Sequence, residues 1–170
     1  PVNLQLLQRL QDNQFQPELN QFNLELNLTP VKAAGNPFSQ MTKEMLIKFN
    51  YIWEVAEQIK TRPLAVRILP TLKKKHLSNE YVTHLGRYRV ICRELLKQRG
   101  EPFHIQIEGQ QESVDFFMPE VSVEGANTSF QVYLMTDKDK FANTFNAAQM
   151  AMPMAIAVAT NSGVLLGKCL

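Results

Sequence analysis

The stretch "FNLELNL", residues 22–28, sets a carboxylate, Glu25, between two amides, Asn23 and Asn27, in strict alternation with apolar side chains. Successive side chains of a strand point to opposite faces. Phe22, Leu24, Leu26 and Leu28 therefore meet a core, while Asn23, Glu25 and Asn27 share the other face. A carboxylate flanked by amides suits a hard cation or a hydrogen-bonded polar ligand; a solvated outer face of an antiparallel sheet is the plainer account of any one such strand. A second constellation lies in "VEGANTSFQVYL", where Asn127, Thr128 and Ser129 precede a strand carrying Gln131. Short polar residues entering a strand orient a small ligand or form an ordinary Ser/Thr turn.

Other chemistry is poorly represented. The chain has no G-x-x-x-x-G-K-[ST] loop, G-x-G-x-x-G turn or G-x-S-x-G elbow. His76, His84 and His104 lack the close spacing of a zinc site and are read as polar loop or strand residues. Cys92 sits in an apolar helical pattern with no base suggested nearby, so it is read as a small buried hydrophobe rather than a nucleophile.

The elements that must position these residues follow from periodicity. "NLQLLQRLQ" spaces Leu4, Leu7 and Leu10 by three behind Asn3 as a candidate cap, which predicts a short helix. Ser39 is expected to cap a longer helix whose stripe runs through Met45, Phe49, Ile52, Trp53, Ala56 and Ile59 to the break before Pro63. "LAVRIL", residues 64–69, suits a strand ended by Pro70 and turns Arg67 toward the same side as Glu25. A third helix carries Tyr88, Ile91, Cys92, Leu95 and Leu96 and stops at Gly100. "FHIQIEG" and "SVDFF" form a hairpin, with Phe103, Ile105 and Ile107 on one face and His104, Gln106 and Glu108 on the other. "SFQVYLM" is expected as another strand, with Phe130, Val132 and Leu134 inward and Gln131, Tyr133 and Met135 opposite. A last helix begins at an Asp137 cap and ends or kinks at Pro153. Strands with one apolar and one polar face, plus helices with long apolar stripes, predict an α+β fold. It comprises a mostly antiparallel sheet with helices packed on one face, in a single domain spanning 1–170.

Composition narrows the function classes. With 45% hydrophobic and 20% charged residues, the chain is that of an ordinary folded protein. No apolar run approaches the roughly 18 residues of a membrane span, so no membrane partner is expected. The formal charge of +2 comes without a long basic stripe, and no nucleic-acid partner is expected. The run Lys73 to Lys75, following Pro70, reads as a solvated loop. Two distant cysteines, Cys92 and Cys169, favour a reducing, cytoplasmic setting over a disulfide scaffold. A first residue of Pro, and an end shortly after an apolar segment, lead to the expectation of a fragment cut at both ends.

Taken in order, "FNLELNLTP", "ILPTL" with "RYRVICREL", and "EGANTSFQVYL" followed by "FNAAQMAMPMAIAVATNSGVLLG" resemble successive blocks of the glutamate–cysteine ligase family, within the carboxylate–amine ligase superfamily. The resemblance covers the chain from about residue 15 to its end. It implies a partial catalytic domain of the glutamine synthetase-like fold, whose antiparallel sheet holds ATP, magnesium and an amino acid on its concave face. The implied reaction is activation of the γ-carboxylate of glutamate as an acyl phosphate, followed by attack of an amine such as that of cysteine. By motif position, Glu25 becomes a candidate Mg2+ ligand. Asn27, Arg87, Tyr88, Asn127, Thr128 and Ser129 become candidates for substrate binding, and Gln131 and Tyr133 for the nucleotide side. Arg67 joins the substrate candidates on strand facing alone, and no catalytic residue is assigned.

Three departures from the family pattern bear on activity. Tyr133 stands where the related strand usually has His or Asn, and a phenol with a pKa near 10 is a poor metal ligand at neutral pH. Asn161-Ser162-Gly163 replaces Asn-Ser-Pro. The acidic Gly-x-Glu-x-Glu strand of the family would precede Pro1, and further catalytic parts would follow Leu170. The rival reading is a degenerate ligase-like protein that binds an amino acid, a nucleotide or a protein partner. A sheet edge left by an absent strand would also allow a homodimer.

Overall fold

Asn3–Leu10 forms α1, with Asn3, Leu6 and Leu10 on its buried side rather than the expected Leu4–Leu7–Leu10 row. Asn3 is the first helical residue, and its Oδ1 accepts the Leu4 N–H at 2.7 Å. The computed structural model describes residues 2–170. After α1, β1 (Phe15–Pro17) pairs antiparallel with β2 (Leu24–Leu26), placing Phe15 opposite Leu26, Gln16 opposite Glu25 and Pro17 opposite Leu24. Helix α2, Pro37–Glu57, starts two residues before the expected Ser39 cap. Asn36 precedes it and Pro37 occupies the first turn, where a missing N–H costs nothing because that donor has no intrahelical acceptor.

These elements close a first core of Leu6, Leu10, Phe15, Ile52, Val55 and Ala56, flanked by Phe49 and Ile59. Each of the Leu, Ile, Val and Phe side chains here contributes about 1.5–3 kcal/mol on full burial. Trp53, expected in the stripe, is 54% exposed, because the packed face runs through Ile52 and Val55 instead.

Helix α3, Gly86–Arg99, stops at Gly100, whose φ of 75° is the left-handed conformation that ends helices at low cost in glycine. Tyr88 and Cys92 pack with Leu19, Val82 and Val121 in a second core, while Ile91 and Leu95 face out. The hairpin forms as patterned: β3 (Phe103–Glu108) pairs with β4 (Ser113–Met118) in full antiparallel register. Met118 joins Leu72, Leu77 and Ala126 in a third core. A 3₁₀ turn, Val121–Ala126, buries Val121, Ser122, Gly125 and Ala126.

The α+β character and the antiparallel pairing of the strands are present, but the described strands form three separate two-stranded ribbons. Two expected strands do not form. Residues 64–69 lie between Pro63 and Pro70 and pair only through the isolated bridge of Ile68 with Asn127, and residues 130–135 have no partner strand among the described residues. A strand is fixed by donors and acceptors on a neighbour, so alternation without a neighbour leaves extended but unpaired chain. Helix α4, Phe141–Ala159, also departs from expectation by continuing through Pro153. The carbonyl that loses its donor there lies in the exposed stretch 145–159, where it is open to solvent.

The chain ends in a short hairpin that periodicity did not suggest, β5 (Val164–Leu165) with β6 (Lys168–Cys169). It is tied to the β3–β4 turn. The Glu112 N–H donates to the Cys169 carbonyl at 3.1 Å, the Cys169 N–H to Glu112 Oε2 at 2.8 Å, and Lys168 Nζ to the Ser113 carbonyl at 2.6 Å. Both cysteines are free thiols, and no helix among the described residues is long and apolar enough to cross a membrane.

Candidate functional site

Glu25 stands at the centre of β2, half-buried, across from Gln16. The neighbouring strand β1 ends at Pro17, whose carbonyl is the meeting point for the family-like Arg-Tyr pair. Tyr88 Oη donates to it at 2.7 Å and an Arg87 guanidinium N–H donates to it at 3.2 Å. Arg87 also donates to Tyr88 Oη at 2.6 Å and lies over the Tyr88 ring, 4.6 Å from its centroid. Burial raises the Tyr88 pKa above its ordinary value; the Arg87 hydrogen bond opposes this, and the Glu18 and Glu25 carboxylates push it further up. The phenol thus stays neutral, with its proton committed to Pro17 and its oxygen to Arg87. Tyr88 is built to hold Arg87 in place, and Arg87 is the exposed member with N–H groups left for a ligand.

Asn27 lies just past the end of β2 and is exposed. Its backbone N–H donates to the Gln14 carbonyl at 2.8 Å, and its carbonyl accepts from Gln14 Nε2 at 2.9 Å. Gln14 Nε2 also donates to Glu44 Oε1 at 2.8 Å, and that carboxylate receives the Thr29 hydroxyl at 2.7 Å. Hydrogen bonds from Gln14 and Thr29 hold Glu44 below the usual carboxylate range. This acid beside Asn27 comes from α2, where nothing in the helical pattern distinguishes it from a solvated residue.

Arg67 and the Asn127–Thr128–Ser129 segment form a second group. The Thr128 N–H donates to the Arg67 carbonyl at 2.7 Å, and its hydroxyl donates to the Val66 carbonyl at 2.6 Å. Thr128 is consumed in joining the two segments, whereas Asn127 and Ser129 are exposed. Arg67 is exposed outside any strand, so the strand argument for its facing the Glu25 side does not hold. Gln131 and Tyr133 are exposed and bond to each other, Tyr133 Oη donating to Gln131 Oε1 at 2.6 Å.

A buried amide cluster that alternation misassigned links the two groups. Asn23, read as sharing a solvent or ligand face with Glu25 and Asn27, is only 8% exposed. Its amide donates to the Gly125 carbonyl, while Asn20, fully buried, donates to the Ser122 carbonyl at 2.8 Å. Asn3 Nδ2 donates to the Asn23 carbonyl at 3.3 Å. The turn that delivers Asn127 is thereby clamped against the approach to β2. The close contact explains Gly125: a Cβ there would lie 2.7 Å from Asn20 Nδ2. The only sequence signal for this clamp was the density of Asn around residues 20–27.

Were Mg2+ bound here, Glu25 would hold it through one carboxylate, the hard oxygen donor that ion prefers. Among the described residues no three His, Cys, Asp or Glu side chains converge as metal ligands. The nucleotide candidates fit less well. The cavity at their segment, about 80 Å³, is lined by Phe130 and Val132 with Leu28, Phe38, Met41 and Met45, an apolar gap too small for a nucleotide. Gln131 and Tyr133 stand on open surface. A scan of protein-family models, a search of curated proteins and a search of solved structures each return no match to this chain.

Proposed function

We propose that this chain is part of an ATP- and Mg2+-dependent carboxylate–amine ligase of the glutamate–cysteine ligase type, built on a partial glutamine synthetase-like domain and forming a γ-glutamyl amide. The observation that carries the reading is convergence. Arg87 and Tyr88 meet β1 at Pro17, β1 pairs with the Glu25 strand, and the Asn20–Asn23 clamp draws in the turn that leads to Asn127. Blocks far apart in sequence, chosen by resemblance, thus lie against one another.

ATP, when bound, would activate the carboxylate substrate by phosphoryl transfer. In this reading Arg87 receives the substrate carboxylate, held by Tyr88 and Pro17, while Asn127 and Ser129 orient polar groups of the amino acid. Glu25 supplies one hard oxygen to the metal. Gln131 and Tyr133 give no enclosed nucleotide wall, so the nucleotide site requires further segments packed over residues 130–135. A second reading, a binding protein of ligase-like fold without the chemistry, is favoured by Tyr133, whose hydroxyl engages Gln131 where the family pattern has a metal-competent side chain.

The test uses the longest natural chain containing this sequence, incubated with ATP, Mg2+, glutamate and a pool of amino acids that includes cysteine, with products read by mass spectrometry. A γ-glutamyl product with matching ADP is expected, and Glu25→Gln should weaken Mg2+–nucleotide binding in a folded variant. Amino-acid or nucleotide binding without any product would select the second reading.

A further inference from the structure

An open cleft lies between α3 and the loop that precedes it, and the assignments above leave it unused. It has a volume of about 320 Å³, at the lower end of the range for small-molecule sites, which is about 300–1,000 Å³. Arg89, Cys92, Arg93 and Leu96 line it from α3 at positions i, i+3, i+4 and i+7, one face of the helix, and Val82 and His84 contribute from the preceding loop. Neither Arg87 nor Tyr88 lines the cleft, although Cys92 lies one turn beyond Tyr88 and packs with it in the second core.

Its chemistry is one-sided. Val82, Cys92 and Leu96 give an apolar floor, with Val82 and Cys92 buried. Burial is also the main reason the Cys92 thiol is pushed above its ordinary pKa, so the floor is uncharged at neutral pH. Every ionisable lining group other than that thiol is basic. Arg89 forms no ion pair among the described residues, and Arg93 pairs only with Glu94, at 2.9 Å on open surface, where such a pair contributes little. No carboxylate lines the cleft, and Glu120 acts on its groups only by a minor push on the Cys92 thiol. Two guanidiniums one helical turn apart over an apolar floor match a planar oxyanion carried on a small apolar body.

We infer that the Arg89–Arg93–His84 cleft is a ligand site for a small organic oxyanion, a carboxylate or phosphate monoester with an apolar group seated against Val82, Cys92 and Leu96. The site is independent of the proposed ligase reading.

Cys92 serves as the reporter. In a Cys169→Ser background, alkylation of Cys92 is followed with benzoate, phenyl phosphate or neutral benzyl alcohol present, and affinities are taken by calorimetry. One or both anions should slow alkylation and bind with Kd in the millimolar range or tighter, while benzyl alcohol leaves the rate unchanged. The better anion identifies the head group. Replacing both guanidiniums, Arg89→Gln with Arg93→Gln, should weaken that anion by about tenfold or more with unchanged circular dichroism. Absence of protection by either anion, equal protection by benzyl alcohol, or full protection in the folded double variant would each overturn the proposal. Should the double variant fail to fold, Arg89→Lys keeps the charge but not the fork, and undiminished binding by both anions there would count against the site.

Discussion

Helices α2 and α4 have nearly the same length, 21 and 19 residues, and opposite fates. Helix α2 carries Lys43, Glu44, Lys48, Glu54 and Glu57, yet buries Ile52, Val55 and Ala56 against α1 and β1. Helix α4 has no charged residue, yet none of its side chains is buried. The contrast extends beyond the helices, since no residue from 127 to 164 is buried, while the three cores draw on residues between 6 and 126 together with Leu166. Apolar character alone therefore does not produce burial. A face is buried when a second element arrives with a complementary face, and α1 and β1 do this for α2 while no described element does it for α4.

The sharpest way to break this comparison is truncation on each side of it. Leu10→Ala, at a fully buried position, should lower unfolding free energy by about 2–5 kcal/mol in urea titration. Phe145→Ala, at a 52% exposed position, should change it by no more than about 0.5 kcal/mol. Equal losses would mean that α4 is packed in solution.

The amide clamp within the packed region should respond less strongly. Gly125→Ala drives a methyl into the Asn20 amide and should cost about 1–3 kcal/mol. Asn23→Ala leaves the buried Gly125 carbonyl without its donor and should cost a similar amount, about 1–3 kcal/mol. A thermal melt unchanged by either would show that residues 121–126 are not held to β2.

The smallest effect is electrostatic and confined to the packed region. Asp12 is held below its ordinary pKa chiefly by the Lys48 hydrogen bond, and Glu44 by Gln14 and Thr29. Because the folded values are depressed, these carboxylates add stability above their unfolded pKa values and lose it as pH falls through the folded ones. Lys48→Met should therefore cost less than about 1 kcal/mol at neutral pH, the pair being partly solvated, and should flatten the loss of stability below about pH 4. An acid limb as steep as in the parent would exclude the Lys48–Asp12 pair as a contributor.

Features with local causes were legible without the structure. Gly100 ended α3 because a positive φ is cheap only in glycine, and the 103–118 hairpin formed because alternation and a short polar turn place both partners within one segment. Cys92 lay in the core because its helical phase matches Tyr88. At the candidate site, the sequence picked out Glu25, the Arg87–Tyr88 pair and the apolar helical face that carries Tyr88, but not that the Tyr88 hydroxyl would hold Arg87, nor that Glu44 would reach Asn27 through Gln14. Residues 64–69 and 130–135 show the same alternation as β3, yet only β3 has a partner within reach of a turn.

The amino-acid sequence by itself determined where α3 stops, which residues alternate and which side chains are chemically able to bind. Only the tertiary structure decided which alternating faces are covered. Asn23 and Glu25 share a strand face in the pattern, but the Gly125 turn lands on Asn23 and leaves Glu25 half-open. The physical reason is that a residue's backbone preference is set by its own atoms and near neighbours, whereas its burial is set by whatever distant segment completes its hydrogen bonds and displaces its water.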